Sequence, residues 1–154
     1  MDVNPDLIRG DEGARRRGSE SREGLRMVVN YWELDVYKLA REGRQRIFEL
    51  SCRFPKEEMY SLTDQIRRSS RSVCAQITEA WGRRLYRADF INKLNMAESE
   101  ARETQSWLET TVECEYLTKE VGGELFQLYN NVIGKLVTME NNPDQWLLQP
   151  NRSK

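Results

Sequence analysis

Phe54–Arg84, FPKEEMYSLTDQIRRSSRSVCAQITEAWGRR, is the stretch whose reading decides the fold. Pro55 disfavours helical backbone at Phe54, so the preceding element stops there. Ser61 then reads as an N-cap, with Asp64 as a weaker version of the capping box. Leu62, Ile66, Ser69, Val73, Ile77 and Ala80 follow at helical spacing and form one apolar seam. Ser69 and Ser70 are small and sit mid-seam, which suits the close approach of a neighbouring helix. Gly82 supplies a C-terminal stop. At roughly 100° per residue, Arg67, Arg71 and, less squarely, Arg68 point away from Ile66, Val73 and Ile77. The stretch therefore predicts one helix of a bundle, apolar inside and basic outside.

Working outward, helical periodicity continues on both sides. A helix is expected from Leu34 to Cys52, with Val36, Ala40, Gly43, Ile47 and Ser51 on its inner face, joined by Tyr37 and Phe48. A long helix from Tyr86 to Leu117 carries Phe90, Leu94, Ala97, Ala101, Thr104, Leu108 and Thr111. A last one starts after Thr118 and runs to Glu140 with a heptad stripe of Val121, Leu125, Leu128, Val132, Leu136 and Met139. Gly122 and Gly123 weaken its first turn by roughly 1 kcal/mol each relative to Ala. Asn141-Asn142-Pro143 terminates it. No strand-type alternation appears, and the connections are short. The expectation is an all-α, antiparallel up-down-up-down four-helix bundle over residues 31–140. It is preceded by a disordered polar tail, 1–30, and followed by a C-terminal tail, 141–154. The N-terminal segment is too polar to offset its ordering entropy. Its Arg15-Arg16-Arg17 run reads as solvated or as a polyanion contact, and Met27 is an alternative start because the organised pattern begins just after it.

Composition narrows the function. Net charge is −1, which excludes a generic polyanion binder, but the charge is segregated. Ser61–Lys93 holds seven basic and three acidic residues, and Leu94–Glu120 holds two basic and seven acidic. There are no histidines, which removes the commonest general base and metal ligand. The three cysteines, Cys52, Cys74 and Cys114, lack CxxC spacing and read as buried thiols in a reducing cytoplasm. No apolar run approaches a bilayer span, and the N-terminus has no secretory core segment.

Several blocks carry a resemblance. They are Leu34-Asp35-Val36-Tyr37-Lys38-Leu39-Ala40, Phe54 through Leu62, Gln65-Ile66-Arg67-Arg68-Ser69-Ser70, Ser72-Val73, Ile77, Glu79 and Gly82-Arg83-Arg84, with Phe90, Leu94, Ala97, Glu98 and Leu108 beyond. Together they resemble the bacterial four-helix-bundle family whose first-described members are encoded in intervening sequences of large-subunit ribosomal RNA genes. The resemblance spans about Tyr31 to Met139. The chain departs from the family at Gln76-Ile77-Thr78-Glu79-Ala80, where members have Asn-Ile-Ala-Glu-Gly; the glycine is displaced to Gly82. Such proteins are similar to the accessory protein of diversity-generating retroelements, a basic bundle that partners a reverse transcriptase and RNA. The resemblance implies a ring-shaped homopentamer, RNA rather than DNA as ligand, a reverse transcriptase or other protein partner, and no enzymatic activity.

Candidate sites follow from the charge pattern. Arg67, Arg68, Arg71, Arg83, Arg84, Arg87 and Lys93 are candidates for phosphate contacts, since guanidinium groups match phosphate oxygens with paired donors. The alternative is a solvated face, or arginines paired with the acidic third helix of the same or a neighbouring chain. Tyr86 reads either as a base-stacking ring or as packing. Trp81, Trp107, Trp146 and Leu147 are candidates for the core or for an oligomer or partner interface. Glu98, Glu100, Glu103, Glu109, Glu113 and Glu115 lack the Glu-x-x-His partners of di-iron bundles, so neither metal, cofactor nor catalytic residue is assigned. The sequence reading is a non-enzymatic, cytoplasmic, oligomeric accessory protein that holds nucleic acid by its backbone. Its alternative is a protein–protein scaffold.

Overall fold

A computed structural model describes residues 27–149. Four α-helices carry the architecture: α1 (Asp35–Ser51), α2 (Leu62–Gly82), α3 (Arg87–Glu113) and α4 (Lys119–Asn141). Short 3-10 turns stand at Tyr31–Glu33, Lys56–Glu58 and Pro143–Gln145. Each helix packs on the next, and α1 closes against α4, so the four form an all-helical bundle with one core. The described residues contain no strand.

The inner faces are those the spacing predicts except at Phe48 of α1, which is exposed, and at Tyr37 and Val121, which are half-buried. Val36, Ala40, Gly43, Ile47 and Ser51 of α1 are buried, as are the six seam residues of α2 and the seven of α3. Deep in the bundle Thr104 Oγ1 donates to Ser69 Oγ at 2.9 Å, and the flanking Ala97 and Ala101 are fully buried. Two features of the core lie outside the predicted seams. Tyr129 of α4 is fully buried, and Trp81 packs edge-on against Trp146 at 6.4 Å between ring centres.

The ends of the helices are where the structure corrects the sequence reading. Ser61 makes no side-chain cap. Glu58 Oε2 instead accepts from the Leu62 amide at 3.2 Å, while its other oxygen accepts from the Tyr116 hydroxyl at 3.2 Å. That carboxylate ties the start of α2 to the α3–α4 loop, and the Phe54 ring packs on Tyr116 beside it. α3 ends at Glu113, four residues before the expected Leu117. There Glu115 adopts φ 61°, the Glu115 amide bonds to the Val112 carbonyl, and the Tyr116 amide bonds to that of Thr111. This is a Schellman ending with glutamate where glycine is usual, which is why no stop signal was visible.

The tails also differ from expectation. The predicted polar tail lies outside the described residues up to position 26, but Val28 packs on the core and the Val29 carbonyl accepts from Trp81 Nε1 at 3.3 Å. Residues after Pro143 fold back along the bundle: Trp146 is buried and the Leu148 amide bonds to the Arg84 carbonyl at 3.1 Å. Of the cysteines, only Cys74 is buried; Cys52 and Cys114 are exposed because each falls at the frayed end of a helix.

Gly43 is a point of close approach between helices. A Cβ there would lie 2.8 Å from Leu128 Cδ2 and 2.8 Å from the Tyr129 hydroxyl. Gly122 likewise meets the Val112 side chain, so its cost in helix propensity is offset by α3–α4 packing, whereas Gly123 faces open space. Gly43→Ala is expected to destabilise the fold by about 1–3 kcal/mol through overpacking. Gly134→Ala, with nothing within 4 Å, is expected to stabilise it by about 0.5–1 kcal/mol. Urea denaturation of the two variants checks both signs.

Candidate nucleic-acid interface

The seven basic candidates do not form one face. Arg67 and Arg71, one helical turn apart on α2, lean toward α1. The Arg67 guanidinium lies 5.0 Å from the centre of the Phe48 ring and that of Arg71 lies 6.0 Å from it. Arg67 Nε donates to Ser51 Oγ at 2.7 Å, and its Nη2 approaches Cys52 Sγ at 3.7 Å. Ser51 in turn donates to the Phe48 carbonyl at 2.9 Å, which fixes the last turn of α1 under the arginine.

Arg68 turns the other way, toward α3. Its Nη2 reaches both oxygens of Glu103 at 2.6 and 2.7 Å, and its Nη1 lies 3.6 Å from Glu100. The paired hydrogen bonds raise the Arg68 pKa and hold the Glu103 carboxyl below its ordinary range, while burial pushes Glu100 upward. Trp107 Nε1 also donates to Glu103, at 3.3 Å, so this half-buried tryptophan is oriented inside its own chain. The single α2 basic face of the sequence reading is thus divided. The step of roughly 100° from Arg67 to Arg68 carries the second across to the acidic helix.

The remaining candidates gather at the far end of α2. Lys93 pairs with Glu79 at 2.8 Å, and Arg87 pairs with Asp144. Arg84 stacks 3.5 Å over the Trp81 ring and donates to the Trp81 carbonyl at 2.8 Å; burial lowers its pKa. Arg83 and Tyr86 are exposed. Trp81 and Trp146 are buried against each other and Leu147 is half-buried, so these residues spend most of their surface on the bundle end itself.

Sequence reasoning missed the α1 side of the interface. Arg41 and Arg44 lie close enough to Cys74 of α2 to act on its thiol; burial raises the thiol pKa, and the two guanidinium groups oppose that rise. Arg41, Arg44 and Phe48 are spaced as one helical stripe, so their common face is legible in the sequence. Phe48 hid it, because an apolar residue near the seam reads as core; the residue is 39% exposed. Arg41, Arg44, Arg67 and Arg71 therefore line the α1–α2 boundary. Among the described residues, none of the four is ion-paired to a carboxylate.

The other titratable pair of note joins α3 to α4. Burial pushes the Glu140 carboxyl up to about 7, and the neighbouring Glu98 carboxylate, itself paired with Arg102 at 2.8 Å, adds to the rise. Among the described residues no group of three or more His, Cys, Asp or Glu side chains is arranged to hold a metal ion. None of the described helices is long and apolar enough to cross a membrane.

The comparisons with known proteins agree on one family. Residues 32–138 match the model of the 23S rRNA-intervening sequence protein family. Among solved structures, the chain is similar to a protein of unknown function from the S23 ribosomal protein family of Bacteroides thetaiotaomicron. The two share 34% identity and a TM-score of 0.63, over 69% of this chain and 95% of that one. No curated protein matches.

The raised Glu140 pKa has a defined sign. Between its ordinary value of 4.5 and about 7, the folded chain holds a proton that the unfolded chain has released. The stability this group contributes is full below that window and is lost as pH rises through it. Glu140→Gln is expected to flatten the fall in stability between pH 5 and pH 8 and to raise the denaturation midpoint at pH 8. Urea titrations at the two pH values, run on both proteins, check this.

Proposed function

The chain belongs to the 23S rRNA-intervening sequence protein family, and from that premise we propose that it is a non-enzymatic, cytoplasmic, nucleic-acid-binding accessory protein. It grips phosphates through Arg41, Arg44, Arg67 and Arg71. The observation that carries this reading is the strip itself: four arginines along one interhelical boundary with no carboxylate partner among the described residues. Arg46, Arg68, Arg87 and Arg102 each meet a carboxylate, and among the described residues Arg53, Arg83 and Arg84 stand without one elsewhere; what sets the strip apart is that four such unpaired arginines adjoin one boundary. Guanidinium groups left with free donors suit phosphate oxygens.

RNA is the favoured ligand, by the family's association with ribosomal RNA genes. Self-association as a homopentamer, and a protein partner such as a reverse transcriptase, belong to the same reading and rest on the resemblance. Specificity then comes from RNA shape or from the partner, since base-edge readout needs side chains aimed into a groove. The scaffold alternative is supported by the acidic face of α3, but Glu100 and Glu103 there are already engaged by Arg68.

The test is binding of the full chain to a labelled structured RNA across a salt series. Neutralising four phosphates predicts a slope of log affinity on log salt between about −3 and −4. The double variant R67E/R71E is expected to lose this binding while keeping its assembly state by size-exclusion chromatography. A flat salt response, or an oligomer that dissociates on charge reversal, moves the assignment to the scaffold.

A further inference from the structure

The strip contains an aromatic ring that phosphate binding alone does not require. Phe48 is 39% exposed, and the guanidinium groups of Arg67 and Arg71 lie over its ring, 5.0 and 6.0 Å from the centre. A core phenylalanine would be covered, as Phe90 is at 0% exposure. The part of the ring that the two planar cations do not cover offers a π surface to a ligand with a flat, polarisable face.

Arg67 is held in place before any ligand arrives. Of its five N–H donors, two are committed, to Ser51 Oγ and Cys52 Sγ, which leaves three for a ligand. Arg71 donates no hydrogen bond among the described residues, so its donors are free at the same ring. Anchoring one guanidinium in advance lowers the ordering cost of binding. Cations for phosphates and a ring for bases therefore stand side by side on one surface.

Resting on the phosphate-binding reading, we propose that the α1–α2 strip binds unpaired nucleotides, with Phe48 as a stacking platform and Arg41, Arg44, Arg67 and Arg71 tracking the strand's phosphates. Bases in a duplex are stacked on one another and cannot offer their faces, whereas a single strand can lay one on the Phe48 ring. Stacking is tolerant of sequence, because every base has a π face. The partner is thus a single-stranded nucleic acid, or a loop or bulge of a folded one, rather than continuous duplex.

The experiment compares the full chain and its Phe48→Leu variant on three labelled probes of equal length: a single-stranded RNA, a single-stranded DNA and a duplex. Leucine keeps an apolar side chain at the position but removes the aromatic face; Phe48→Ala serves as a second variant, with thermal melts establishing that both fold. The wild-type chain is expected to prefer the single strands, and the tighter of the two identifies the sugar it meets. F48L is expected to weaken single-strand binding by about tenfold and leave duplex binding unchanged. Equal affinity for duplex and strands, or an equal loss on all probes in F48L, overturns the stacking role while leaving the phosphate reading intact. No binding of any probe at low salt overturns both.

Discussion

A buried hydroxyl contact between α2 and α3 sets the geometry on which the rest depends. Ser69 donates to the Ile66 carbonyl and accepts from Thr104, and both hydroxyls are fully buried. A polar group at that depth is tolerated only with its partner in reach, so the contact is directional in a way that aliphatic packing is not. It fixes the rotation of α2 about its own axis as well as its distance from α3. The small neighbours Ala97 and Ala101 permit the approach. A slip of one residue in α2 would bury an arginine in place of Ser69 or Ser70.

That rotation decides which arginines are spent inside the molecule and which are left to act. Facing α3, Arg68 meets a helix whose outward turns are rich in glutamate, and it is absorbed by Glu103 and Glu100. Arg67 and Arg71 face α1, where they meet the Phe48 ring instead of carboxylates, while Arg41 and Arg44 of the same helix lie near Cys74 of α2. The ion pairs on the α3 side are largely exposed and contribute little stability individually. Their consequence is electrostatic: they cancel charge on one side of α2 and leave it standing on the other. A chain with net charge −1 thereby presents a local positive strip.

The parts of this arrangement legible in sequence are those set by local periodicity. The inner faces of the helices follow from apolar spacing, because burial of a stripe is enforced at every turn, with Phe48 the exception. What periodicity could not give are contacts made across long sequence separations. Glu58 displaces Ser61 as the cap of α2 because Tyr116, 58 positions away, orients its carboxylate. Glu115 ends α3 in a left-handed conformation that a non-glycine residue rarely adopts, so no stop was visible. Trp146 returns to Trp81, which makes part of an apparent tail a wall of the core. The candidate site divided in the same way. Arg67 and Arg71 lie off the apolar seam of α2, as its spacing indicates, but Arg41 and Arg44 sit on α1, and only packing brings the two stripes together.

The size of the strip constrains how it can work. On the proposed reading, four guanidinium groups on one chain would neutralise about four phosphates, giving modest, salt-sensitive attraction and little discrimination between sequences. Two features raise its usefulness without enlarging it. The acidic turns of α3 would repel a polyanion, so a strand bound as proposed would be steered to the α1–α2 side. Repetition of the strip by self-association would make each further contact with the same strand intramolecular, multiplying affinity with no new chemistry. On the proposed reading, a weak site of this kind would gain from symmetry what it lacks in area: binding would depend on assembly, whereas assembly would not depend on binding.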